Sequence, residues 1–206
     1  MIASCEMMTP SVPFPIPGLP LRPSRVHEVE GPSAAGFAAI TGGMAGQGLL
    51  WIRPRWSGEL TVPDGLSSLL PAERVLIAQT QNEADTLAVA EEALKDGSVA
   101  FVVIETTRRL DLREGRRLQL AARAAGTTGL CLTPKGMGSN AAETRWHCSP
   151  VFSPDERGDS TLMRWEIIKN KEGTIGMWHV RWNAETHCLD VVSPARIGPG
   201  SEGTPV

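Results

Sequence analysis

The sequence has no pair of cysteines close enough to form a C-x-x-C clamp. Its four cysteines stand apart at Cys5, Cys131, Cys148 and Cys188. In a chain of 206 residues this spacing excludes a disulfide-stapled miniprotein and points to reduced thiols in a reducing, cytoplasmic compartment. His147-Cys148 and His187-Cys188 are the nearest approach to zinc half-sites. They lack the tight, repeated spacing of a metal site, so no metal is expected. No stretch approaches the roughly 18 apolar residues of a membrane span. Neither a basic region nor an apolar run precedes Cys5, so no signal peptide is expected. There is also no surplus of one charge: 20 Lys and Arg against 23 Asp and Glu leave a net charge of −3. That excludes a chain drawn as a whole to nucleic acid or membrane, and any basic surface must be local.

What remains is an ordinary globular composition, 41% hydrophobic and 21% charged, in a chain long enough to bury one core. Residues 1–23 form a proline-rich segment, with Pro10, Pro13, Pro15, Pro17 and Pro20 excluding a helix; an extended N-terminal arm is expected. Residues 194–206 are rich in glycine, proline and serine and are expected to be a flexible tail. Between them, 24–193 read as one domain.

Within that domain, short apolar runs alternate with helical patterns. Val26–Glu30, Leu49–Ile52, Val75–Ala78, Val99–Ile104 and Gly129–Leu132 read as strands. Ser33–Ile40 is an alanine-rich helix. A second helix follows the Thr80-x-x-Glu83 capping pattern and stops at Gly97. A third runs over Leu112–Ala125 and stops at Gly126. Arg53–Pro71 reads as loop with one helical turn. This alternation predicts an α/β fold with a mostly parallel sheet flanked by helices. From Ala142 onward the period changes to two. Met163, Trp165 and Ile167, then Trp178, Val180 and Trp182, flank the turn Lys169-Asn-Lys-Glu-Gly173 and predict an antiparallel C-terminal hairpin. Trp146, Trp165, Trp178 and Trp182 are expected to be packing residues, and His27 a satisfied strand residue.

Gly31-Pro-Ser-Ala-Ala-Gly36-Phe37-Ala38 follows a strand and opens a helix. That is the setting of the phosphate loop G-x-x-x-x-G-K-[ST]. Gly31 and Gly36 have the right spacing, but Phe37 stands at the lysine position and Ala38 at the Ser/Thr position. The lysine would place charge on the terminal phosphates and the hydroxyl would hold magnesium; phenylalanine and alanine do neither. A hydrogen bond involving a charged group contributes about 1.5–3 kcal/mol net. The loop therefore reads as degenerate, with no bound cofactor and no catalytic residue. A plain strand–helix turn is the alternative.

Two basic features stand out. Arg108, Arg109, Arg113, Arg116, Arg117 and Arg123 cluster around one helix, relieved by Asp111 and Glu114, with Arg109, Arg113 and Arg117 four apart on one face. They are either a solvated face or a contact for DNA phosphates or an acidic partner. Lys169, Asn170 and Lys171 are either turn residues or a partner-binding edge.

In order along the chain, Gly18-Leu-Pro20, Val26-His-Glu-Val-Glu-Gly31, Ala100-Phe-Val-Val-Ile-Glu105 and Ile167-Ile-Lys-Asn-Lys171 resemble the core of the RecA recombinase. The likeness covers roughly Phe14 to Asn183. It implies a RecA-like core, with Glu105 in the place of the magnesium-associated acid and Arg55, in Trp51-Ile-Arg-Pro-Arg55, where an activating acid would be needed. It also implies that Lys169 and Lys171 face a neighbouring RecA-like subunit. RecA's first DNA-binding loop has almost vanished here between Arg109 and Arg116, and its second is cut to about Pro134–Asn140, so DNA contact is expected to be weak or indirect. Within the superfamily, the VHEVEGPSAAGFAA segment, Leu110-Asp-Leu-Arg113, Arg117-Leu-Gln-Leu-Ala-Ala-Arg123 and Asn140-Ala-Ala-Glu-Thr-Arg-Trp146 resemble the ImuA family. The resemblance implies a non-catalytic accessory role in SOS-induced translesion DNA synthesis and mutagenesis. The implied partners are ImuB, an error-prone C-family polymerase and a RecA filament. A SulA-like cell-division inhibitor and an active RecA-like ATPase are the alternatives.

Overall fold

The computed structural model describes residues 16–46, 48–56, 63–152, 160–183 and 186–198. β1 (Val26–Glu30) lies at the centre of a nine-stranded sheet, and all five of its residues are buried. A strand buried on both faces needs no polar alternation, so the reading of 26–30 as a short strand located it without showing that it is central. β2 (Leu49–Pro54), β3 (Val75–Thr80), β4 (Phe101–Glu105) and β5 (Thr128–Leu132) run parallel to it. β6 (Thr144–Pro150) is the last parallel neighbour of β1. β7 (Ser160–Asn170), β8 (Ile175–Asn183) and β9 (Cys188–Gly198) then continue the sheet antiparallel, in the order β3-β2-β4-β5-β1-β6-β7-β8-β9.

The antiparallel end is thus a four-strand ladder that contains the expected β7–β8 hairpin. β9 was not expected, and its backbone runs to Gly198, five residues into the segment read as a flexible tail. Its pairing with β8 is interrupted by two register shifts, which blur the period-two pattern in the sequence. Residues 199–206, and most of the proline-rich arm, lie outside the described residues. The end of that arm is not extended away from the domain. Ile16, Leu19 and Leu21 are buried in the main core, so the prolines there shape a packed segment.

Among the described residues four α-helices accompany the strands. α1 (Ala34–Met44) continues four residues beyond the expected end at Ile40. Phe37 to Gly42 are buried in succession, so this stretch of α1 has no wet face to mark its length. Gly42 packs closely on β2: a Cβ there would sit 2.2 Å from Leu49 Cδ1, and that side chain would have to shift. α2 (Pro63–Ser67) is the single turn expected in the 53–71 loop. α3 (Glu83–Asp96) is capped by Asn82, whose side chain accepts from the Asp85 amide, and not by Thr80. Thr80 is the last residue of β3, and its hydroxyl meets that of Thr86 at 2.6 Å. α4 (Leu112–Ala125) begins with an Asp111–Glu114 capping box. Gly97 and Gly126 end α3 and α4 in the left-handed region, with φ of 74° and 81°.

Two apolar clusters pack the sheet. One joins α3 and α4 to β1, β2, β4 and β5 through Ala90, Leu94, Val102, Ile104, Leu118 and Ala122. The other, on the opposite face, joins α1 and the N-terminal segment to the antiparallel strands. There Trp146, Trp165, Trp178 and Trp182 are all buried, as their alternation predicts. Among the described residues no helix is long and apolar enough to cross a membrane.

Candidate functional site: the phosphate-loop end of the sheet

The loop between β1 and α1 turns at Gly31, whose φ is +102°. A Cβ at this position would lie 2.3 Å from the Cys148 carbonyl oxygen, so only glycine allows β6 to approach so closely. That same carbonyl accepts the Ser33 amide at 3.1 Å, and the Phe37 amide donates to Ser33 O at 3.0 Å. A phosphate nest works by leaving amides free to point at the anion. Here the Ser33 amide is taken by β6.

Phe37 is fully buried and packs between two indoles, its ring 5.1 Å from Trp146 and 4.7 Å, edge-on, from Trp165. Ala38 is also fully buried. The two positions that would serve phosphate and magnesium instead fill the tryptophan cluster. Gly36, by contrast, has open space where a Cβ would go.

Glu105 stands at the end of β4, two strands across from β1. Trp51 Nε1 donates to its Oε1 at 2.7 Å, and Arg53 Nη2 lies 3.8 Å from its Oε2. The Arg53 side chain is 5% exposed. The carboxylate that would attend a metal is therefore held by an indole and a buried guanidinium. Arg55, expected to replace an acid, is exposed, and its amide continues the ladder to Thr80 O at 2.8 Å. Arg53 was missed by sequence reasoning. The signal was present in the register: Trp51 pairs with Val103, so Arg53 falls beside Glu105 on the same face.

The two acids of β1 hold the shortened 134–140 loop. Glu28 accepts from the Ser139 amide at 2.8 Å and from Arg145 Nε at 2.8 Å. Glu30 accepts from the Gly136 amide at 2.9 Å and lies 3.3 Å from His147 Nδ1. His27 is buried between Thr144 Oγ1 at 2.7 Å and Arg22 O at 3.0 Å. Burial pushes its pKa down to about 4. His147 points to Glu30 while Cys148 is buried on the opposite face of β6. Alternation along the strand keeps the two from chelating one ion, and no cluster of metal-ligating residues occurs among the described residues. Cys131 and Cys148 are free thiols, and burial raises the pKa of both. Cys5 lies outside the described residues.

Of the expected partner-binding residues, Arg109, Lys169 and Lys171 converge on carbonyls of the 138–142 segment. Lys169 Nζ donates to the carbonyls of Asn140 at 2.8 Å, Ala142 at 3.0 Å and Ser139 at 3.3 Å. Burial, helped by the charges of Arg145 and Lys171, lowers its pKa to about 8. Lys171 Nζ donates to Ala141 O at 2.7 Å. Asn170 Nδ2 donates to Thr174 O at 3.2 Å, closing the turn. Both lysines thus cap carbonyls of the 139–142 segment. Arg109 precedes α4 and donates to Gly138 O at 3.1 Å, Arg117 pairs with Glu91 on α3, and Arg113 is exposed. The three arginines do not share a face, because Arg109 is outside the helix.

The sheet order, the loop after its central strand and the acid at the end of β4 define a RecA-like core domain. The fold is shared with the crystal structure of the RadB recombinase, with a TM-score of 0.62 at 15% identity over 84% of this chain and 92% of that one. No protein-family model matches the chain. Protein ImuA from two strains of Caulobacter vibrioides is 31% identical over 192 residues, covering 80% of this chain and 77% of the relative. The chain belongs to the ImuA family.

Proposed function

We propose that this chain is a non-catalytic RecA-like accessory protein of SOS-induced translesion synthesis and mutagenesis, one that scaffolds ImuB and an error-prone C-family polymerase. The observation that carries the non-catalytic part is the filled loop. Phe37 lies between Trp146 and Trp165, and the Ser33 amide is bound to Cys148 O. Nucleotide would have to displace a packed aromatic ring and a backbone hydrogen bond before meeting any phosphate ligand. The Trp51–Glu105–Arg53 arrangement supports the same reading, since an acid neutralised by a buried guanidinium is poorly placed to attract a cation. Membership of the ImuA family supports the role in mutagenesis and the choice of partners.

The test is co-purification with ImuB from the same organism, alongside a magnesium-dependent ATPase assay. The expected result is a stable complex and no turnover. A soluble, folded chain that leaves ImuB in the flow-through, or that hydrolyses ATP, contradicts the proposal.

A RecA filament is a further partner in this reading, met by the Lys169–Lys171 edge. Charge reversal of Lys169 and Lys171 to glutamate is expected to abolish filament association at low salt. The same lysines cap the carbonyls of Ser139 to Ala142, so the variant must be shown to keep its melting temperature within a few degrees. Undiminished filament binding would leave the lysines as turn residues only.

A further inference from the structure

The inward face of α4 is formed by Gly115, Leu118, Ala121 and Ala122. The direction opposite to that face should be the most polar of the helix. Instead it carries Leu120, 68% exposed, flanked by Leu112, 48% exposed. At 100° per residue, Leu112, Arg113, Arg116, Leu120 and Arg123 fall within a strip of about 100°, with leucine and arginine interleaved. Arg117 lies outside the strip and turns to Glu91, and Arg108 pairs with Glu114. By contrast, Arg113, Arg116 and Arg123 have neither an ion pair nor a hydrogen bond among the described residues.

The strip borders a groove of about 430 Å³, lined across from it by Arg25, Asn140, Ala141, Lys171 and Glu143, whose charge is taken by Arg22 and Arg25. Gln119 ties the two walls together, donating to Val26 O at 2.7 Å and Ala141 O at 3.1 Å. The groove floor is therefore fixed, while the leucines and arginines above it are unengaged.

We propose that this strip is a docking surface for an acidic, amphipathic segment of a partner protein. Three unpaired guanidiniums on a chain of net charge −3 call for carboxylates. The two leucines, eight residues and about 12 Å apart, call for apolar side chains at matching spacing, as when an amphipathic helix lies along a groove. The chain's own ends match poorly: residues 1–15 hold one acid, Glu6, and residues 199–206 hold one, Glu202. Nucleic acid matches poorly too. Phosphates would use the arginines but gain nothing from the leucines, and the strip offers no aromatic ring on which a base could stack.

The probe is a fluorescein-labelled acidic peptide of about 15 residues, glutamate-rich with leucine at heptad spacing, followed by fluorescence polarisation at low salt. It is compared with the same peptide bearing serine for leucine and with a thymidine oligonucleotide of similar length. Wild-type protein is expected to bind the leucine-bearing peptide at least about tenfold more tightly than the serine version. Leu112→Ser with Leu120→Ser, and separately Arg116→Glu with Arg123→Glu, should each weaken binding by on the order of tenfold or more. All four side chains are at the surface, so both variants should keep the wild-type circular dichroism spectrum. Equal binding of both peptides, or leucine variants that bind as well as wild type, would reduce the strip to a general electrostatic patch and overturn the proposal. Tighter binding of the oligonucleotide, lost on arginine reversal alone, would identify a nucleic-acid surface instead. Absence of any peptide binding would also overturn it.

Discussion

At the phosphate-loop end of the sheet, the groups a nucleotide would need are turned inward. Phe37 fills the space between two tryptophans, the Ser33 amide is bound to β6, and Glu105 is bound by Trp51 and Arg53. On the outer face of α4 the opposite holds. Arg113, Arg116 and Arg123 have no partner among the described residues, and two leucines stand in solvent beside them. The first region has the chemistry of a core and the second the chemistry of an interface. In this RecA-like fold, Phe37 and Ala38 of the loop after β1 are part of the packing.

Stability measurements can break this comparison. Phe37→Ala leaves a cavity in a fully buried aromatic cluster and is expected to cost about 3–5 kcal/mol, read as a lower midpoint in urea at unchanged slope. A loss under about 1 kcal/mol would mean that the ring is loosely held and the loop able to open. The neighbouring His27 gives a pH test of the same core. Its pKa is about 4 when folded and 6.5 ordinarily, so the unfolded chain binds more protons between these values. Stability should therefore fall as pH drops from about 6.5 towards 4, by at most about 3 kcal/mol from this group. His27→Gln should flatten that part of the pH profile of the melting temperature; an unchanged slope would place the sensitivity elsewhere.

Glu105→Gln sharpens the reading of the acid. It removes the charge facing Arg53 while keeping the oxygen that accepts from Trp51, and a loss of about 1–3 kcal/mol is expected in equilibrium unfolding. A catalytic or metal-attending acid would give the reverse, with stability unchanged or increased. The smallest effect belongs to the α4 face: Arg113→Ala and Arg123→Ala should each stay within about 0.5 kcal/mol of wild type by the same assay. A larger loss would show that these side chains support the fold.

The features with strong local signals were legible in the sequence. Parallel strands were marked by apolar runs such as Phe101–Ile104, helix ends by Gly97 and Gly126, and the antiparallel end by tryptophans two apart. That the loop lacks a lysine and a hydroxyl could be read from Phe37 and Ala38 alone. What stayed hidden depends on register or on backbone far away in the chain. Arg53 meets Glu105 only once β2 and β4 are aligned. The lysines of the 169–171 turn look free until the carbonyls of 139–142 are placed beneath them. Ile16, Leu19 and Leu21 are core residues concealed among prolines. The arginine row was visible as a cluster, but its pairing was not: Arg109 and Arg117 have partners, and Arg116 and Arg123, nearer the centre of the exposed strip, have none among the described residues.

The central claim is that the phosphate loop has been absorbed into the core. It is tested most directly by the melting temperature of the purified chain with and without millimolar ATP and magnesium. A ligand that binds the folded state at about a hundred times its dissociation constant stabilises by about 2.7 kcal/mol, a shift of several degrees in a domain of this size. The account predicts no shift. A reproducible, ATP-specific rise in melting temperature would contradict it.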